Sequence, residues 1–443
     1  MNIILLSGGS GKRLWPLSND IRSKQFIKLF KNEKNEYESM LQRVYRQIKI
    51  VDPGADITIA TGKSQVSTIL NQVGEKISVC VEPCRRDTFP AIALACAFLS
   101  DVKGISEDEV ITVCPVDPYV EADYFKAVHA LSELAKNSEC NLSLLGVEPT
   151  YPSAKYGYII PEAADRVSRV RSFKEKPSED DAADYIKEGA LWNCGVFAFK
   201  LGYMLRTARR QIKFKDYNDL KQKYNSLEKI SFDYAVSEKE KSIQVLRFSG
   251  NWKDIGTWNT FAEEMSEKTI GNVILGPGSD NTNVINELNI PILTVGIENA
   301  VIAASGDGIL VSNKKQSSYI KPFVDSIEQT VMYAEKSWGS FTVLDLQDDS
   351  MTIKIKLNKG HGLHYHSHEF RDEVWNVVTG TGRTVIDGIV RTVRPGDIIH
   401  LPAGSKHTVY AYTDLSIIEI QFGSEISVHD KKKFYLDPEI LGE

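Results

Sequence analysis

At 443 residues the chain is too long for one ordinary hydrophobic core, and two or three domains are expected. Its 42% hydrophobic and 25% charged content is that of a globular protein, and a net charge of -6 leaves no basic excess to neutralise nucleic-acid phosphates. The apolar run from Ala91 to Leu99 is too short to span a bilayer, and "MNIILLSGG" lacks the basic opening of a secretory signal. No nucleic-acid or membrane partner is expected. Six cysteines without a C-x-x-C pair read as free thiols in a reducing cytoplasm.

From residue 1 to about 265, short apolar runs alternate with amphipathic stretches. "NIILLS", "DITIAT", "ISVCVEP", "VITVCPVD" and "LSLLGVEP" read as strands; "ESMLQRVYRQIK", "AIALACAFLS" and "YFKAVHALSELAKN" read as helices. That alternation predicts an α/β domain with a mainly parallel sheet and ligands at the carboxyl ends of its strands. Residues 266–330, rich in Gly, Asn, Val and Ile without a fixed repeat, predict a compact irregular β-rich connecting domain. "QSSYIKPFVDSIEQTV" adds a helix and a connector. From 335 to 443, "FTVLDL", "MTIKIKL", "EVWNVVTG", "RTVIDG", "DIIHLP", "HTVYAYT" and "LSIIEIQFG" recur about every ten residues, the pattern of a small antiparallel barrel or jelly roll.

The first strand runs straight into "LLSGGSGKRLWPL". Glycines there let backbone N–H groups approach phosphate oxygens, and Arg13 can clamp phosphate with its planar fork. No Gly-Lys-Ser/Thr follows at the spacing of a Walker loop.

"LSGGSGKRLWPLSNDIRSKQF" resembles the opening motif of sugar-1-phosphate nucleotidylyltransferases, in particular the mannose-1-phosphate guanylyltransferase branch. "EPCRRDTFPAIALA", "CPVDPYV", "KYGYI", "FKEKP", "WNCGVFAF", "SFDYAVSEK" and "WKDIGTW" follow in that family's order, over roughly residues 1 to 325. The resemblance implies a Rossmann-like, GT-A type domain. In the family's reaction a sugar 1-phosphate attacks the α-phosphate of a nucleoside triphosphate, here GTP with mannose 1-phosphate. The nucleophile is already an anion, so no general base is needed. That suits a region whose one histidine is His129.

By the same resemblance Arg13 and Lys24 hold the triphosphate and the leaving pyrophosphate. Asp117 and Asp254 hold Mg²⁺, a hard ion that wants oxygen ligands. Lys176 takes the sugar phosphate, with Gly157, Glu175 and Asn193 lining the sugar pocket. Leu6, Gly8, Gly9, Gly11, Arg86 and Asp87 complete the nucleotide side. Ser23 stands where the family usually has proline, Asp87-Thr88-Phe89-Pro90 where it has Asn-Thr-Ala-Pro, and Pro118 where it has histidine. The substitutions at Asp87 and Phe89 leave another base, such as that of CTP, or another sugar phosphate as alternatives. A homodimer is expected.

Seven of the eight histidines fall between His361 and His429. Gly360 is followed after five residues by His366-x-His368, after four more by Glu373 and after six more by Gly380. Gly396 leads after five residues to Pro402-x-Gly404 and then to His407. This spacing resembles the two metal motifs of the cupin family, which implies that His366, His368, Glu373 and His407 converge on a divalent first-row metal such as Zn, Mn, Fe or Co. His361, His364 and His400 are expected outside the ligand set. "KSWGSFTVLD" and "RDEVWNVVTGTG" resemble the carboxy-terminal domain of type II phosphomannose isomerases. There "EF" is an insertion before Arg371, and "SEISVHDKKKF" replaces the closing acidic motif, so a cupin without isomerase activity is also open. A non-catalytic sensor of nucleotide sugars is the reading from another class. It predicts the loss of a metal carboxylate or phosphate cation, whereas Arg13, Lys24, Asp117, Lys176 and Asp254 are all present.

Overall fold

The structure is a computed structural model that describes residues 1–9, 11–19, 21–327, 330–426, 430–437 and 440. Its contacts divide into two units. One comprises Met1–Ser10, Ser23–Val66 and Gln72–Ser266; the other comprises Gly11–Arg22, Ser67–Asn71 and Glu267–Glu443.

The first unit is built on a nine-stranded sheet. β1 (Asn2–Ser7), β2 (Asp56–Gly62), β3 (Ser78–Glu82) and β4 (Val110–Pro115) run parallel in the order β3-β2-β1-β4. Helices provide the crossovers that parallel strands require: α1 (Met40–Val51) before β2 and α2 (Thr88–Asp101) before β4. α2 is apolar on nearly every face and is buried from Phe89 to Ala97, as expected of a helix enclosed by protein. A capping box between Ser39 and Gln42 starts α1. Beyond β4 come β5 (Pro118–Val120), α3 (Ala122–Lys136), β6 (Leu142–Val147), β7 (Tyr158–Pro161), β8 (Val167–Lys174) and β9 (Leu191–Lys200), then α4 (Leu201–Ile212), β10 (Ile243–Phe248) and β11 (Trp252–Asp254).

Here the expectation of a mainly parallel sheet needs correction. β9 runs antiparallel to β4, β6 and β7, and β8 runs antiparallel to β7 and β10; beyond β4 only the β6–β10 pair is parallel. The reason is in the connections. β7 and β8 are joined by a short turn, and no helix intervenes to carry the chain back.

In the second unit, residues 267–313 form a parallel coil. β12 (Thr269–Ile270), β14 (Asn283–Asn286) and β16 (Ala300–Ser305) stack in parallel, as do β13 (Val273–Leu275) and β15 (Ile292–Thr294). β17 (Gly308–Asn313) closes the stack antiparallel. Asn281 and Asn299 adopt positive φ of 52° and 53° at successive corners, and Asn281 Nδ2 donates to Asn299 Oδ1 at 2.8 Å. Segment 11–22 docks on this coil: Arg22 makes paired hydrogen bonds to Glu287 at 2.8 and 2.9 Å, and Ser305 Oγ donates to Pro16 O at 2.8 Å.

The carboxy-terminal part is two antiparallel sheets. Six strands lie in the order β18 (Tyr333–Lys336), β19 (Gly339–Leu346), β20 (Ser350–Leu357), β27 (Leu415–Gly423), β22 (Arg371–Thr379) and β25 (Ile398–Leu401). Five lie in the order β24 (Ile389–Val393), β23 (Gly382–Ile386), β26 (His407–Ala411), β21 (His366–Ser367) and β28 (Lys432–Lys433). Trp375, Leu357, Val377, Val409 and Ile417 fill the core. Ser427, Val428 and His429 of the closing segment lie outside the described residues.

Candidate functional site

A pocket of about 250 Å³ opens at the carboxyl ends of β1, β3 and β4. Leu6, Gly8, Gly9, Lys24, Arg86, Asp87 and Asp117 line it together. Packing does not require its glycines. A Cβ on Gly8 would sit 4.0 Å from Glu82 Oε1, and one on Gly9 would sit 3.6 Å from Gln25 Oε1. Close approach of a ligand to the backbone is the remaining reason for them. Ser23 at the departure from proline is structural: its Oγ donates to Gly9 O at 3.0 Å and accepts from Gln65 Nε2 at 2.6 Å, tethering the loop.

Lys24 reaches across the floor. Its Nζ lies 3.0 Å from Asp117 Oδ2 and donates to Ile255 O at 3.1 Å. The β5–β11 ladder sets Asp254 opposite Pro118, the residue after Asp117, and Asp254 is not among the pocket-lining residues. Asp117 offers a hard oxygen beside the Lys24 cation. Asp87 caps α2 at φ 70°, its carboxylate accepting from Thr88 N at 2.8 Å, and the positive helix end faces the pocket. Arg86 lines the wall while its guanidinium donates to the carbonyls of Tyr224 and Asn225.

Arg85 and Glu82 are among the lining residues that the sequence reading did not single out. Arg85 donates to Gly9 O at 3.2 Å, and Glu82 accepts from Tyr224 Oη at 2.7 Å. Burial raises the Glu82 pKa, against the pull of that hydrogen bond. Both belong to "EPCRRD", and only geometry separates Arg85 from Arg86. Gly11 and Arg13 are placed elsewhere, on the turn Gly11–Leu14 of the second unit. Arg13 is exposed there, and neither residue lines the pocket.

Gly157, Glu175, Lys176 and Asn193 form a second cluster on β7, β8 and β9. Asn193 N donates to Gly157 O at 2.8 Å, and a Cβ on Gly157 would lie 2.5 Å from Glu175 Oε2, so only glycine fits. Lys176 holds a left-handed φ of 46°, an uncommon conformation that concentrates at functional sites. Its Nζ contacts Glu175 Oε1 at 2.7 Å; burial works against the charge, but Glu175 prevails and raises the lysine pKa. Asp233, which the sequence reading did not single out, accepts from Asn193 Nδ2 at 2.8 Å. Burial, reinforced by the Glu175 charge, pushes Asp233 up to about 7. Tyr156 packs on Trp192 and Trp252 with ring centres 5.0 and 5.3 Å apart, and the charge of Asp254 reaches Tyr156. That aromatic wall connects the cluster to the second carboxylate.

In the double sheet, His366 pairs directly with His407 across β21 and β26. His366, His368 and His407 are each 2–3% exposed, and their nearest ring nitrogens lie within 4.8 Å of one another. Each Nδ1 faces a backbone carbonyl: His364 O at 2.5 Å for His366, Asp430 O for His368, and Ser405 O at 3.1 Å for His407. A carbonyl only accepts, so each Nδ1 carries the proton and each Nε2 offers a lone pair inward. That is the arrangement of metal-ligating imidazoles. Among the described residues His407 Nε2 has no hydrogen-bond partner although it is buried, and burial, with Lys431 and His407 adding, drives His366 down to about 2, keeping it neutral.

Glu373 joins the three rings, with Oε1 3.0 Å from His368 Nε2 and Oε2 3.3 Å from His407 Nε2. Arg371, missed as a site residue, donates to Glu373 Oε1 at 3.3 Å. The residues fit a divalent metal. His361 and His400 stand apart, on Lys359 O and Asp372 respectively.

A family model described as nucleotidyl transferase matches residues 2–269, and one described as mannose-6-phosphate isomerase C-terminal matches residues 325–435. A putative mannose-1-phosphate guanylyltransferase of Vibrio cholerae is 29% identical, covering 97% of this chain and 98% of its own. Alginate biosynthesis protein AlgA of Pseudomonas putida is 28% identical, covering 97% and 95%. A solved Thermus thermophilus structure, described as a mannose-1-phosphate geranyltransferase, superposes with a TM-score of 0.60 at 28% identity, covering 73% of this chain and 98% of that one.

Proposed function

The chain belongs to the nucleotidyl transferase family, and from that premise we propose that it transfers a guanylyl group from GTP to mannose 1-phosphate, giving GDP-mannose and pyrophosphate. The observation that carries the reading is the pocket in which the Gly8–Gly9 loop, Lys24 and Asp117 meet at the strand ends, with Asp254 on the neighbouring strand. None of the residues lining it is a histidine. Chemistry without a general base needs none, because the attacking phosphate is already an anion.

Asp117 and Asp254 fit Mg²⁺, which when bound would neutralise triphosphate charge. Lys24 supplies a positive charge for the departing pyrophosphate. Lys176 receives the sugar phosphate, while Asn193 and Glu175 hold the sugar against Gly157. Glu82 and the end of α2, with Arg86 and Asp87, face the base and ribose. The first unit is read as a GT-A type Rossmann-like fold and the double sheet as a cupin barrel. There His366, His368, His407 and Glu373 would hold Zn, Mn, Fe or Co and interconvert mannose 6-phosphate and fructose 6-phosphate.

A cytoplasmic setting is supported by the buried free thiols of Cys80, Cys96, Cys114 and Cys194. Among the described residues no helix is long and apolar enough to cross a membrane. Homodimerisation is proposed on the exposed Ile309 and Val311 of β17, and sedimentation would test it.

The deciding experiment offers the full chain each common nucleoside triphosphate with a panel of sugar 1-phosphates and measures pyrophosphate release. GTP with mannose 1-phosphate is expected to give the highest kcat/KM. Preference for CTP, or for another sugar phosphate, overturns the assignment of substrates and leaves the reaction class standing.

A further inference from the structure

The two places where the double sheet departs from the isomerase-domain pattern meet in space. The inserted pair Glu369–Phe370 presents both backbone N–H groups to one carboxylate: Asp430 Oδ1 accepts from Glu369 N at 2.7 Å, and Oδ2 accepts from Phe370 N at 3.1 Å. The Asp430 carbonyl accepts from His368 Nδ1. Asp430 is 8% exposed, and these contacts satisfy a carboxylate that burial would otherwise penalise. Immediately beyond, β28 pairs with His366 and Ser367, and Phe434 N donates to Tyr365 O at 2.9 Å. Residues 430–434 thus form a strap along the segment 365–370, which carries His366 and His368.

The three imidazoles are oriented by different means. His366 and His407 donate to carbonyls two residues upstream, just before their own strands, so local backbone suffices. His368 depends on an acceptor 62 residues away. We propose that Asp430 is a positioning residue of the three-histidine centre. Through its backbone carbonyl it fixes the His368 tautomer, and through its carboxylate it fixes the inserted turn, so that Nε2 faces a divalent first-row metal. The proposal rests on the metal-site reading of the histidines. The insertion and the altered closing segment are then one compensating device.

The test strips the full-length protein of metal and titrates it with Co(II), reading affinity and the visible spectrum of the bound ion. Circular dichroism and the melting curve of each variant serve as the control for folding. Wild type is expected to take up one Co(II) in the double sheet. Asp430→Ala keeps the backbone carbonyl but removes the carboxylate that holds the Glu369–Phe370 turn, so His368 should be misoriented and Co(II) should bind about 10–100-fold more weakly with an altered spectrum. Asp430→Asn keeps one acceptor oxygen for the turn, so it should retain the wild-type spectrum with a smaller loss of affinity. An Asp430→Ala protein within about twofold of wild type, with the same spectrum, overturns the proposal. If that variant does not fold, Asp430→Asn decides: unchanged affinity overturns the proposal, and weakened affinity upholds it. Wild type that binds no Co(II) fails before either variant is compared, and overturns the metal reading together with the strap.

Discussion

The pocket of the first unit and the histidine centre of the second solve opposite problems. The pocket must handle a polyanion that arrives and leaves. Its carboxylates and lysine sit on strand ends and loops, Asp117 and Lys24 pairing at 3.0 Å with part of both side chains open to solvent. The histidine centre is closed, its rings 2–3% exposed and each Nδ1 committed to a carbonyl. The difference teaches that hard oxygen ligands can be completed by substrate, whereas imidazole ligands must be oriented in advance by the protein. It also makes the two sites chemically separable.

The largest expected effect breaks the first site alone. Asp117→Asn and Asp254→Asn should each lower kcat/KM for transfer by about 10²–10³-fold, the range seen when one preorganised electrostatic group is lost, while circular dichroism stays native. Near-normal turnover at limiting Mg²⁺ would remove that residue from the site. Lys176→Ala sharpens the division inside the first unit. Losing a charge-assisted contact to phosphate costs about 1.5–3 kcal/mol, so KM for the sugar phosphate should rise about 10–100-fold with GTP binding little changed. Impaired GTP binding with an unchanged sugar-phosphate KM would reverse the assignment.

The smallest effect concerns Asp233. Its folded pKa is raised to about 7, so its contribution to stability is full below the ordinary aspartate pKa and is lost as pH rises through about 7. Asp233→Asn should therefore gain melting temperature on wild type above pH 7, with the gain shrinking toward pH 4. Parallel melting curves across that range would show Asp233 ionised normally.

Much of this was legible in the residues. The five amino-terminal strand runs and three helices fall where the alternation put them, because a buried parallel strand such as Ile3–Leu5 leaves a continuous apolar run. The cupin resemblance implied that His366, His368, Glu373 and His407 converge, and the ligand nitrogens of the three histidines lie within 4.8 Å of one another. What escaped depends on pairing between distant segments. The reversal at β9 follows from connections whose direction local pattern does not carry. The parallel coil has unequal turns, which hides its stacking. Asp233 and Asp430 are ordinary carboxylates in sequence, marked only by Asn193 and by the turn at Glu369 that they reach. Gly11 and Arg13 share a motif with Gly8 and Gly9, yet the chain between them passes from one unit to the other.

The separability of the two sites is tested most directly by the double substitution His366→Ala/His368→Ala in the full chain, assayed for guanylyl transfer and for bound first-row metal on the same preparation. The account predicts transfer within about twofold of wild type and a double sheet that no longer retains metal, since two of its three imidazole ligands are gone. A folded double variant that loses transfer would contradict it, because the histidine centre would then be coupled to the nucleotide pocket.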